Sequence, residues 1–146
     1  MSKSNSWENA LMLLLFNNTN AANIGDATGL RGSSTAGNLY ISLHTADPGE
    51  AGDQTTSEAN YTGYARVSVA RSGAGFTVTN NQAVNAAAIT FGACTAGTNT
   101  ITHFGIGTAS SGAGVLLYSG AVSPNISVAS GSTPEIASGQ LTISED

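Results

Sequence analysis

Leu39-Tyr-Ile-Ser-Leu-His-Thr-Ala-Asp-Pro-Gly-Glu50, followed after a polar loop by Tyr61-Thr-Gly-Tyr-Ala-Arg66, decides the fold of this chain. Leu39, Ile41 and Leu43 alternate with Tyr40, Ser42 and His44. A period of two gives a strand one buried face and one polar face. Asp47-Pro48-Gly49 stops the strand, because proline presets φ and glycine accepts a left-handed position. Residues 64–70 then resume the alternation, with Val67 and Val69 on one face.

Working outward, further strands are predicted at 75–79, 87–91, 100–106, 115–122, 126–128 and 140–143. Gly73, Gly97, Ser110-Ser111-Gly112, Ser123-Pro124-Asn125 and Ser130-Gly131 mark the turns between them. About eight short strands at this spacing predict a mainly β fold, an antiparallel β-sandwich or jelly roll with one short N-terminal helix. Residues 1–38 are expected to form a helix and an extended arm, and 39–146 a β-sandwich domain that is a single structural unit. No internal repeat or linker divides the chain.

Ala10-Leu-Met-Leu-Leu-Leu-Phe16 is too short an apolar run to span a bilayer as a helix. A secretory leader fits poorly, since Trp7, Glu8 and Asn9 separate the lone Lys3 from the run. A helix over 7–16 fits better. Ser6 is its expected cap, Glu8 suits the positive first turn, and Trp7, Leu11, Leu14 and Leu15 share a face. Met12, Leu13 and Phe16 occupy the remaining faces, so burial on most sides is expected, within the domain or against a neighbouring subunit. The Gly/Ala/Ser/Thr-rich connection over 23–38 lacks periodicity; a loop of that length is functional or ordered by a partner.

Composition narrows the function. Charged residues are 9% of the chain, apolar residues 40%, and the net charge is −5, which argues against disorder. Four basic residues cannot form the stripe that grips a phosphate backbone, so no direct nucleic-acid partner is expected. Cys94 is the sole cysteine and reads as a small buried thiol. His44 and His103 lie on strands without further ligands at metal spacing. Asp47, Glu50, Asp53 and Glu58 lack EF-hand spacing and read as a solvated turn. No serine sits in a Gly-x-Ser-x-Gly elbow, and Gly105-Ile-Gly107 opens no helix. No catalytic residue, metal site, cofactor or enzymatic activity is expected. Arg66, on a strand of small and apolar residues, should find a carboxylate from 47–58 or backbone carbonyls, within the chain or across subunits.

The order of blocks carries a resemblance. After the helix come Leu39 to Gly52, Tyr61-x-x-Tyr64-Ala-Arg66, Ala88-Ile-Thr-Phe91, Thr100-Ile-Thr-His-Phe-Gly-Ile106 and Gly114-Val-Leu-Leu-Tyr-Ser-Gly-Ala121. Gly131-Ser-Thr-Pro134 and Ala137-Ser-Gly-Gln-Leu-Thr-Ile143 close the series. From Trp7 onward this resembles a family of small virion structural proteins of tailed bacteriophages, whose members often carry the label tail fibre protein. Related small β proteins serve as capsid decoration, or cement, proteins. The departures lie at 72–86 and 110–112.

The resemblance implies a virion protein made in the host cytoplasm. The expected role is capsid decoration, binding and stabilising the shell. The alternative is a tail fibre, collar or baseplate component, with loop tyrosines contacting host-surface glycan. Expected partners are the major capsid protein or other virion proteins and copies of the chain itself, with no membrane. Trp7, Leu11, Leu14, Leu15, Arg31, Tyr61, Tyr64 and Arg66 are the expected subunit-interface residues.

Overall fold

The computed structural model describes residues 3–22, 24–25 and 29–145. The chain groups into two compact units. One comprises 1–38, 69–88 and 136–146; the other comprises 39–68 and 89–135.

In the first unit the helix α1 runs Asn5–Asn17, with Ser4 rather than Ser6 at its N-cap. Ser4 makes no side-chain cap bond; its carbonyl accepts from Trp7 and Glu8 N–H at 2.9 and 3.0 Å. The fully buried stripe is Glu8, Met12 and Phe16, and the expected face of Trp7, Leu11, Leu14 and Leu15 is half-buried. The aromatic ring sets this rotation: Phe16 meets Phe76 edge-on at 4.9 Å, and both are wholly buried. Asn18, at φ 54°, ends the helix in a left-handed conformation that asparagine tolerates.

The last turn of α1 contains no basic residue. Arg71 supplies the charge from elsewhere in the unit. Its Nε donates to Leu15 O at 2.7 Å and its Nη2 to Leu14 O at 2.9 Å. Those carbonyls have no helical donor, and a cation there also opposes the helix dipole. Arg71 Nη1 reaches Ala36 O at 3.0 Å, while Asn18 and Ser33 exchange two hydrogen bonds at 2.7 and 2.8 Å. The described part of the 23–38 connection is thus tied to the helix end. Asn23 and residues 26–28 of that connection lie outside the described residues.

The same unit contains β3 (Phe76–Thr79), β4 (Gln82–Asn85) and β9 (Thr142–Ser144), ordered β3-β4-β9 and antiparallel. β4 was not expected, because Gln82-Ala-Val-Asn85 is short and half polar. The overlooked signal is Asn80-Asn81, a two-residue turn whose first residue has φ 55°.

The remaining strands are β1 (Asn38–His44), β2 (Val67–Ala70), β5 (Ile89–Thr90), β6 (Asn99–Gly107), β7 (Leu116–Val128) and β8 (Glu135–Ile136). A four-stranded sheet has the order β2-β1-β6-β7, and β5 pairs with β8. β1 and β6 are antiparallel in unbroken register from Tyr40↔Gly107 to His44↔His103. Residues expected as two strands separated by Ser123-Pro124-Asn125 form the single strand β7. The turn signal is absorbed as a bulge: between the pairs Ile101↔Ile126 and His103↔Ala121, two steps along β6 match five along β7. The fold is mainly β, built of antiparallel sheets with one short N-terminal helix, as the sequence leads one to expect. Among the described residues no helix is long and apolar enough to cross a membrane.

Candidate functional site

The densest polar constellation lies in the second unit, around Arg66. Its side chain is 2% exposed and forks onto Glu58, with Nε to Oε1 at 2.6 Å and Nη2 to Oε2 at 2.7 Å. Its other donors reach Ala109 O at 3.0 Å and Gly112 O at 2.8 Å. The partner is therefore intramolecular, and the same guanidinium pins the Ser110–Gly112 turn. Tyr64 completes the cluster: its hydroxyl donates to Glu58 Oε1 at 2.9 Å and accepts from Leu43 N–H at 3.0 Å. Burial pushes this phenol well above its ordinary 10.0, so it remains a donor at physiological pH.

Behind this cluster, β1 places Ser42 and His44 on the same face, and both are fully buried. His44 Nδ1 lies 2.8 Å from Thr56 O, which can only accept, so Nδ1 carries the proton. Nε2 then accepts from the Ser42 hydroxyl at 2.8 Å. The spacing is that of a Ser–His pair, but neither side chain reaches solvent. Gly105 of β6 lies against them; a Cβ there would stand 2.5 Å from Ser42 Oγ and 2.6 Å from His44 Nε2. The pair anchors the 45–56 loop to its strand. Gln54, also fully buried, comes from this loop and accepts from Ala109 N–H at 2.9 Å.

Burial holds the His44 imidazole below its ordinary 6.5, opposed more weakly by the Thr56 carbonyl and Glu58. With the folded-state pKa depressed, the unfolded chain binds the extra proton. His44 therefore contributes stability that is intact above pH 6.5 and is lost as pH falls through the lower folded value. The urea-unfolding free energy should fall as pH drops below 6.5, with a slope no steeper than about 1.4 kcal/mol per pH unit. His44→Gln should flatten that slope; an unchanged slope would place the titration elsewhere.

The acidic loop is occupied with its own turns. Asp47 Oδ1 accepts from Gly49 N–H at 2.9 Å, and Asp53 Oδ1 accepts from Thr55 N–H and hydroxyl at 2.7 and 2.6 Å. The Thr55 bonds hold the Asp53 carboxyl below its ordinary 3.8. No group of three or more His, Cys, Asp or Glu residues suited to a metal comes together among the described residues. Beside the loop opens a cleft of about 440 Å³, lined by Asp47, Glu50, Leu116 and Tyr118 among others.

The expected interface residues are divided between the two units. Tyr61, Tyr64 and Arg66 are brought together in the second unit, but inward. Tyr61 is 3% exposed, donates to Gly92 O at 3.0 Å and packs edge-on against Tyr64. Tyr64 stacks on Phe91. In the first unit, Trp7, Leu11, Leu14 and Leu15 are half-buried and Arg31 is exposed. Cys94 is the buried thiol expected, 2% exposed.

Sequence reasoning missed Arg71 and Asn85, two long-range hydrogen-bonding centres. Asn85 is 1% exposed, and its Nδ2 donates to Ala87 O and Ala137 O at 2.7 and 2.9 Å. Its Oδ1 accepts from Leu141 N–H at 2.9 Å.

A small β protein that spends Arg66, His44 and Asn85 on fastening its own loops fits the class of structural components. The family model described as Podophage GP4 fiber I protein gp80 matches residues 2–144. This chain belongs to that family and is a structural component of a phage virion. No curated protein matches the chain.

Proposed function

We propose that the chain is a subunit of a fibre attached to the phage tail, serving as a rigid structural element. The match to a fibre family along nearly the whole chain is the observation that carries this reading. The clamp geometry supports it: a fibre subunit has to keep its loops in place under load, and Arg66, His44 and Asn85 each fasten a loop to a strand. Other virion proteins and further copies of the chain are its proposed partners.

Capsid decoration drew on the helix and the 23–38 arm as segments free to lie across a shell. Backbone groups of Gly32, Ser33 and Ala36 in the arm are bonded to Asn18, Asn20 and Arg71 of the same unit, which weakens that argument. Glycan stacking on Tyr61 and Tyr64 loses support similarly, because those rings pack on one another and on Phe91. Gold-labelled antibody against the purified chain should decorate the tail of intact virions. Label spread over the head, with many tens of copies per particle, would instead establish decoration.

A further inference from the structure

β7 ends the four-stranded sheet, with β6 on its inner side. The hydrogen bonds of β1 fix which groups of β7 are left over. Leu43 N–H donates to the Tyr64 hydroxyl at 3.0 Å and Leu43 O accepts from Ala59 N–H at 2.8 Å, so both point away from β6. In an antiparallel ladder Phe104, opposite Leu43, then directs its own N–H and C=O to β7, where its partner is Gly120. The residues on either side, Ser119 and Ala121, turn theirs to the open edge. Both residues are exposed, and no described residue bonds to their backbone there. Folded proteins guard such an edge with charge or proline. Leu116 to Val122 contains neither.

The surroundings of the edge select what pairs with it. The cleft of about 440 Å³ beside the acidic loop is walled by Leu116, Leu117 and Tyr118 and carries Asp47 and Glu50 on its other side. Both carboxylates are exposed, and neither meets a basic side chain among the described residues. Ser119 is in register with Gly105 and Ser42, on the sheet face that His44 ties to this same loop. Alternate side chains of an added strand therefore stand beside the two carboxylates. A second copy of the chain, at net charge −5, brings the same acidic pair to the edge and is repelled. A lysine suits both parts of the cleft, laying its methylenes on the leucines and its ammonium by the carboxylates. We infer that the β7 edge at Ser119 and Ala121 is a strand-addition site for an extended segment of another protein in which basic and apolar residues alternate. Main-chain hydrogen bonds supply the affinity, and the acidic cleft selects the sign of the partner.

The probe is a capped heptapeptide alternating valine and lysine, titrated against the full chain by calorimetry and amide NMR. Binding should be saturable, protect the Ser119 and Ala121 amides from hydrogen exchange, and weaken as salt is raised. A glutamate version of the peptide, and one N-methylated on alternate backbone amides, should not bind. Asp47→Asn combined with Glu50→Gln should weaken binding about fivefold, as expected for two exposed ion pairs. Ala121→Pro deletes an edge donor without taking a bond from the β6 ladder, so binding should vanish with the circular dichroism spectrum unchanged. Should that variant unfold, the N-methylated peptide applies the same test to the native chain. Absence of saturable binding, equal binding of the glutamate peptide, or binding retained by the N-methylated one would overturn the site. So would protection of the two amides that grows with the concentration of the chain alone, which would put a second copy on the edge. Purified chain and peptide suffice, so the outcome is independent of where the chain sits in the virion.

Discussion

Replacing Arg66 with alanine is expected to lower the unfolding free energy by about 3–5 kcal/mol, the usual cost of breaking a buried ion pair from one side. Three losses combine. Glu58 keeps a single hydroxyl donor, Tyr64, and the carbonyls of Ala109 and Gly112 lose their charged donors. Arg66→Lys should recover only part of the stability, since an ammonium cannot fork across both carboxylate oxygens and still reach the turn. Urea unfolding measures the effect, and a cycle with Glu58→Gln isolates the pair from the turn contacts. A loss below about 1 kcal/mol would mark the pair as equivalent to an exposed surface bridge, contrary to its burial.

Asn85→Ala should cost about 3 kcal/mol. The substitution deletes three side-chain hydrogen bonds at a fully buried position and leaves the Leu141 N–H and the carbonyls of Ala87 and Ala137 without that partner. The buried Leu141 N–H left unsatisfied costs about 1–3 kcal/mol, whereas Ala87 and Ala137 are exposed residues whose carbonyls can turn to water, and the terms do not simply add. The local consequence is as informative as the global one. Residues 137–141 should lose hydrogen-exchange protection first, because Asn85 joins them to β4 through Gly139 N–H as well. Uniform protection along that segment in the variant would show that packing of Leu141 and Ile143 suffices to hold it.

The β1 strand was legible because its alternation is strict and its stop is chemically explicit. Asn85 and Arg71 were not, since nothing local distinguishes a buried asparagine hub from a polar residue on a solvated strand face. Their value lies in partners more than 50 residues away in sequence. Arg66 was legible as a residue needing an acidic partner, and the short span to Glu58 made that partner accessible to reasoning. Helix α1 shows the intermediate case. Its existence and end were written in its apolar run and asparagines, but its rotation depended on Phe76, which only the folded chain brings beside Phe16.

The path of the chain has a consequence for how the protein comes into being. Helix α1 is made well before β9, which pairs with β4 in the same unit. Helix α1 therefore keeps its apolar stripe uncovered until β3 and β4 have been made. A nascent chain stalled before Leu141 would present an unfilled edge of β4 to any neighbouring chain.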